Sequence, residues 1–128
     1  MIFVDTNVFM YAVGRAHPLR EPARDFFRAQ LESHDPLVTS AEVLQELLHA
    51  YVPVNRIDTL DAALALARGR TGSIWSVEPE DVELARDLLD QHAHLGARDL
   101  LHLASCTRRG VRRIKTFDRA LAAAFPTA

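Results

Sequence analysis

Short unbroken apolar runs alternate with longer stretches whose apolar residues recur every three or four positions. Ile2-Phe3-Val4, Leu37-Val38-Thr39, Ile74-Trp75-Ser76-Val77 and Ile114-Lys115-Thr116 are the short runs; they read as strands, the first of them consistent with burial on both faces. The stretches between them read as helices. The first runs from Asn7 to Val13, with Asp5 or Thr6 as its cap, and stops near Gly14. Pro18 and Pro22 restart the chain, and Ala23, Phe26, Phe27 and Leu31 give the next helical face, to about Ser33. Thr39-Ser40-Ala41-Glu42 fits a capping box with Thr39 as the cap, before a helix carrying Val43, Leu44, Leu47, Leu48 and Tyr51. Leu60, Ala63, Leu64 and Ala67 mark a helix opened by Asp58 or Thr59, with Gly69 and Gly72 at its exit. Pro79 suits the first turn of a helix holding Val82, Ala85, Leu88 and Leu89. The helix of Asp99 follows Gly96 and ends at Gly110, and Asp118 starts a short helix from Arg119 to Ala124.

The connections are too long for hairpins, so the alternation implies crossovers between parallel strands. The expected fold is α/β: a three-layer α/β/α sandwich around a mainly parallel sheet. Residues 1–128 read as a single domain, with the helix pair between the second and third strands as an excursion rather than a second unit.

Composition narrows the class. The chain is 48% hydrophobic and 25% charged, which fits a globular protein with a real core. No apolar run approaches a membrane span, and the N-terminus does not read as a signal peptide. A single cysteine, Cys106, excludes a disulfide within the chain and suits a cytoplasmic setting; it reads as a packing residue. The formal charge of −2 decides nothing about nucleic acid, so local distribution matters more than the sum.

Four acids carry the candidate chemistry. Asp5 ends the first strand, Glu46 lies at the margin of a helix's buried face, Asp99 opens an apolar helix, and Asp118 follows the last strand. Each has a plain explanation as a helix cap, a first-turn acid or a solvated residue. Together they fall where an open parallel sheet presents a site, outside the carboxyl ends of its strands. Clustered carboxylates repel one another, and a hard divalent cation is their natural occupant. Glu42 lies one turn before Glu46 and reads as a cap partner, a rim residue or an auxiliary ligand. His49 and His102 each follow an acid by three positions, a spacing that serves either a metal or simple packing. Arg108, Arg109, Arg112, Arg113 and Lys115 form a basic run with no acid in it. Its four arginines are candidates for holding RNA beside the acids, or for closing a helix end.

The run Val4-Asp5-Thr6-Asn7-Val8-Phe9, followed in order by Glu46-Leu47, Asp99-Leu100-Leu101-His102 and Thr116-Phe117-Asp118, resembles the PIN domain, and more narrowly the VapC toxins of VapBC toxin–antitoxin modules. That resemblance covers nearly the whole chain. It implies that Asp5, Glu46, Asp99 and Asp118 hold Mg2+ or Mn2+ and cleave RNA through metal-activated water. It implies that Thr6, Asn7 and Thr116 support the site. It further implies a VapB-type antitoxin as partner and a homodimer as the free form. Two departures stand out: Phe117 replaces a small polar residue found in some relatives, and a last edge strand is not evident after Pro126.

Other classes fit less well. A phosphatase of the haloacid-dehalogenase kind needs a second acid two residues after the first, where Asn7 stands. A receiver domain needs an acidic pair and a central phosphoacceptor, and neither is present. A non-catalytic binding module has no need of four carboxylates. A housekeeping PIN nuclease in RNA processing is the nearest alternative.

Overall fold

The apolar runs pair into one sheet whose two central strands are buried on both faces beneath helices, while the two edge strands stay partly exposed. The computed structural model describes residues 1–126. Its elements are β1 (Ile2–Val4), α1 (Thr6–Val13), α2 (Arg20–Gln30), β2 (Leu37–Ser40), α3 (Ala41–Tyr51), α4 (Ile57–Arg70), β3 (Ser73–Trp75), α5 (Pro79–Leu88), α6 (Ala97–Arg108), β4 (Arg113–Lys115) and α7 (Arg119–Ala124). The sheet order is β3-β2-β1-β4, and every pairing is parallel. The chain moves outward from β1 through β2 to β3, then returns to the far side of β1 for β4. Crossovers of one hand that run in opposite directions along a sheet cover opposite faces. Accordingly α1, α2, α3 and α4 pack together, and α5 packs on α6, which also meets α7. This is the expected α/β/α sandwich.

The core follows the strand period. Phe3 points toward α6, its ring 5.6 Å from Trp75 and 5.4 Å from the His102 ring. The alternation sends Ile2 and Val4 to the other face, and all three strand residues are buried. Phe9 of α1 stacks on Phe27 of α2 at 5.6 Å and closes that side.

Several local expectations shift. Ser40, not Thr39, caps α3: its Oγ accepts from Val43 N–H, while Thr39 ends inside β2 and donates to the Val4 carbonyl. The capping box expected of Thr39 and Glu42 therefore does not form. The strand pairing takes Thr39 because its hydroxyl can satisfy the end of β1 there. At α5 a different residue pair closes the turn, with Glu78 N–H donating to Asp81 Oδ2 and Pro79 in the first turn. Helix α6 begins at Ala97, earlier than Asp99, which leaves Asp99 inside its first turn. Among the described residues no strand follows α7; Thr127 and Ala128 lie outside them.

Candidate active site

The point where the strand order reverses lies between β1 and β4, and there the acids gather. Asp5 leaves β1 and caps α1, with Oδ1 accepting from Thr6 N–H at 2.7 Å. Glu46 projects from the middle of α3, and Asp99 from the first turn of α6. Asp118 caps α7 by accepting from Leu121 N–H at 3.1 Å. Its cap role is thus real and leaves the residue on the cleft wall. All four line one cleft of about 270 Å3, together with Thr6, Asn7, Met10, His49, Ala50 and Arg98.

The supporting polar residues form a connected set. Thr116 Oγ1 donates to Asp5 Oδ2 at 2.7 Å, and accepts from Asp118 N–H at 3.0 Å and from Asn7 Nδ2 at 3.2 Å. The other end of the Asn7 amide accepts from Phe117 N–H at 3.1 Å. One asparagine thereby ties α1 to the turn after β4, and one threonine fixes the Asp5 carboxylate. Thr6 Oγ1 donates to Glu46 Oε2 at 2.6 Å.

Beneath the acids lies His102, 1% exposed. Its Nε2 is 2.7 Å from Glu46 Oε1 and 3.7 Å from Asp5 Oδ1. Its Nδ1 has no hydrogen-bond partner, so the proton shared with Glu46 sits on Nε2. The acid-x-x-His spacing is the sequence signal for this ring, and packing or support of a ligand is the plainer explanation of it. Both apply: the ring packs at a tilt against Phe3 and also partners a carboxylate. His49, the other histidine at that spacing, stays exposed on the cleft rim.

The electrostatics follow from this crowding. Burial pushes the Asp99 carboxyl up to about 6, helped by the charges of Asp5, Asp118 and Glu46 and opposed by His102. Burial also raises Asp5, against the pull of His102, Thr116 and Thr6. Burial opposes the charge on Glu46, but the His102 hydrogen bond and charge and the Thr6 hydroxyl prevail, so its pKa is lowered. For His102 burial acts downward, and the Glu46 hydrogen bond and the neighbouring carboxylates outweigh it and raise the pKa. Glu42 is raised by burial and by Glu46, and it lies 3.9 Å from Arg98. Arg98 is the cleft's guanidinium, and the sequence reading did not single it out.

A cation fits this arrangement. Asp5 and Asp99 hold their protons above the ordinary range, first because they are buried and then because neighbouring carboxylates repel them, and a cation would offset both. Asp5, Glu46 and His102 each offer one ligand atom, all within 4.8 Å of one another. The His102 nitrogen is spent on Glu46 and is closed to solvent, so the ring orients a ligand rather than replacing one. Hard carboxylate oxygens suit Mg2+ or Mn2+.

The basic run does not join the acids. Arg108 and Arg109 stand at the far end of α6, about 14 Å along the helix from Asp99 at 1.5 Å per residue. Both grip buried Asp81, at 2.6 and 2.8 Å, and Arg109 also reaches Glu78 and covers the Trp75 ring at 4.8 Å. Arg113 opens β4, at the amino end of the sheet, and pairs with Asp35 at 2.7 Å; Arg112 precedes it. The helix-end explanation holds for Arg108 and Arg109. None of these four arginines is among the residues that line the acidic cleft. The charge pattern could not reveal this, because the acids that engage them lie far away in sequence.

Cys106 is fully buried, and burial pushes its thiol pKa up, as a packing residue requires. Among the described residues no helix is long and apolar enough to cross a membrane.

Comparison with known proteins agrees with this geometry. The model of the family described as "PIN domain" matches residues 2–125. Ribonuclease VapC23 of Mycobacterium tuberculosis H37Rv is 68% identical over 125 residues, which is 98% of each chain. Ribonuclease VapC13 of the same strain is 40% identical over 119 residues, 93% of this chain and 91% of that one. The crystal structure of M. tuberculosis VapC20, a sarcin–ricin loop cleaving toxin, superposes with a TM-score of 0.81 at 22% identity, over 98% of this chain and 97% of the other.

Proposed function

Because this chain belongs to the PIN domain family, we propose that its cleft is the active centre of a metal-dependent endoribonuclease, the toxin of a toxin–antitoxin pair. The observation that carries this reading is the convergence of Asp5, Glu46, Asp99 and Asp118 on one cleft at the sheet's reversal point. These four would hold Mg2+ or Mn2+. When bound, such an ion lowers the pKa of water and stabilises charge on a phosphoryl oxygen.

The chain's own residues set the stage for that chemistry. Thr116 and Thr6 N–H fix the orientation of Asp5, and His102 and the Thr6 hydroxyl fix Glu46. Asp99, its pKa pushed up to about 6, keeps its proton to a higher pH than an ordinary carboxyl, and a bound cation would favour its charged form. Among the described residues no serine or cysteine lines the cleft, and its histidine, His49, stays exposed on the rim, which favours water as the attacking group. Attack by water with the charge stabilised at the leaving oxygen gives 5′-phosphate and 3′-hydroxyl ends.

The names of the relatives support an RNA substrate and an antitoxin partner. A VapB-type antitoxin, a homodimeric free form, a cytoplasmic setting and a single domain over residues 1–128 complete the proposal. The test is incubation of antitoxin-free protein with structured RNA, with and without Mg2+ or Mn2+, with the product ends mapped. Cleavage that depends on the ion and is lost in Asp99→Asn supports the reading; RNA left intact with both ions sinks it. The alternative, a housekeeping PIN nuclease, predicts harmless expression without any antitoxin, whereas the toxin reading predicts growth arrest.

A further inference from the structure

One edge of the acidic cleft opens into a second trough, and the two share Asn7 and Met10. This trough, of about 280 Å3, runs along α1 to the loop after Gly14 and faces the turn between α3 and α4. Its chemistry is opposite to that of the cleft. No carboxylate lines it, and Arg15 and Arg56 do. Neither arginine has a carboxylate partner among the described residues, whereas Arg108, Arg109 and Arg113 are all paired. Arg56 is held in place by lying over the Tyr51 ring at 5.6 Å and by reaching Thr59 at 3.3 Å.

Aromatic rings follow the same path. Phe117, next to Asp118, meets the Tyr11 ring edge-on at 5.7 Å, and Tyr11 lies 4.6 Å from the His17 ring at an interplanar angle of 30°. His17 is fixed in turn, its Nδ1 accepting from Leu19 N–H at 3.0 Å. Rings set in place lose little entropy when a base stacks on them. From Asn7 to Gly14 the helix advances about 10 Å, at 1.5 Å per residue, so this platform begins at the cleft and leads away from it.

Resting on the nuclease reading, we infer that this trough holds single-stranded RNA on one side of the scissile phosphate, with bases on Tyr11 and His17 and backbone phosphates on Arg15 and Arg56. Unpaired cations and fixed aromatic faces are the two parts that a sequence-tolerant single-strand site needs. A duplex hides its base faces and gains nothing from the rings. Tyr11, His17, Arg15 and Arg56 are positioning residues, and they touch no reacting atom.

The test uses a fluorescein-labelled single-stranded RNA and a blunt duplex of the same composition, in Mg2+, with the full chain in an Asp99→Asn background so that RNA stays uncut. Anisotropy is read across a salt series. Tyr11→Ala should weaken single-strand binding about tenfold and Tyr11→Phe should not, since stacking uses the ring and not the hydroxyl. Arg15→Gln with Arg56→Gln should reduce the slope of log affinity against log salt by about 1.4, at roughly 0.7 per phosphate contact. Arg112→Ala with Arg113→Ala, at the other end of the sheet, should change neither. With Asp99 restored, the trough variants should raise KM for RNA and leave kcat in place. The arginine pair covers the case in which Tyr11→Ala fails to fold. Parent-like affinity and salt slope in the arginine pair would overturn the inference, as would tighter binding of duplex than of single strand. If the unaltered chain still cuts RNA in those cases, the nuclease reading stands without the trough. If the unaltered chain cuts no RNA with either ion, that reading fails, and the trough is judged on binding alone.

Discussion

His102 Nε2 and Glu46 Oε1 lie 2.7 Å apart on the floor of the cleft, and the same nitrogen is 3.7 Å from Asp5 Oδ1. A buried ring thus stands against two carboxylates, hydrogen-bonded to one and close to the other. Replacing it with alanine removes ring packing against Phe3 and leaves buried acid unbalanced. His102→Ala should cost about 3 kcal/mol in thermal unfolding without metal, the usual range for such a truncation. It should also weaken Mn2+ affinity roughly tenfold or more, since partners of ligands orient them. Titration calorimetry with wild-type affinity would show that the ring is packing alone.

Asp5 and Asp99 should separate on mutation, although both are expected to be essential for cleavage. Asp99 makes none of the hydrogen bonds that organise the site and is repelled by its neighbours, so Asp99→Asn should raise the metal-free melting temperature by a few degrees. Asp5 caps α1 and receives Thr116, so Asp5→Ala should lower it, with loss of the cap alone costing about 1 kcal/mol. Differential scanning fluorimetry in a chelator reads both signs. A melting temperature unmoved or lowered in Asp99→Asn would remove the evidence for crowding.

Metal-free stability should rise as pH falls below neutrality and through about 6. Asp99 is raised to about 6, so its folded form binds a proton that the unfolded chain, at 3.8, releases. His102 is raised too; its contribution is full below the unfolded value of 6.5 and is lost as pH climbs through the folded one. Glu46 runs the other way: its pKa is lowered, and its contribution is lost as pH drops below 4.5. The expected curve therefore has its maximum on the acid side of neutrality, and calorimetric melts at spaced pH values would reveal it. Saturating Mg2+ should flatten the alkaline side.

Mg2+ or Mn2+ should raise the melting temperature in proportion to the logarithm of its concentration. At one hundred times its dissociation constant an ion that binds only the folded state adds about 2.7 kcal/mol. Asp99→Asn should shrink that shift. A flat response across millimolar concentrations of both ions would contradict the cleft as a cation site.

Asp81 gives a control for fold without chemistry. It is fully buried between Arg108 and Arg109, and these partners outweigh burial to lower its pKa to about 2. Asp81→Ala should lower the melting temperature by several degrees at pH 7 and leave the Mn2+ affinity unchanged. Its wild-type contribution is present above pH 3.8 and is lost as pH falls toward about 2. An effect on metal binding would mean that the α5–α6 clamp reaches the cleft.

The order of the elements and the acids that meet in the cleft are legible along the chain. Apolar runs of three or four residues cannot be helices, and their spacing leaves room only for crossovers, so a parallel sheet follows. Asp5, Asp99 and Asp118 sit at element ends, where a local pattern has a local meaning. Ser40 or Thr39 as the cap of α3 was not decidable in that way. Each offers a hydroxyl, and the choice rests on how far β2 runs beside β3 before α3 begins and on the bond of the Thr39 hydroxyl to the Val4 carbonyl. The partners of His102 and of the arginines were likewise out of reach. Glu46 lies 56 residues from His102 in the chain, and Asp81 lies 27 and 28 from Arg108 and Arg109. Whether a charge serves chemistry or holds two helices together depends on what stands within a few ångströms of it. That distance is set by the packing of the layers and not by spacing along the chain.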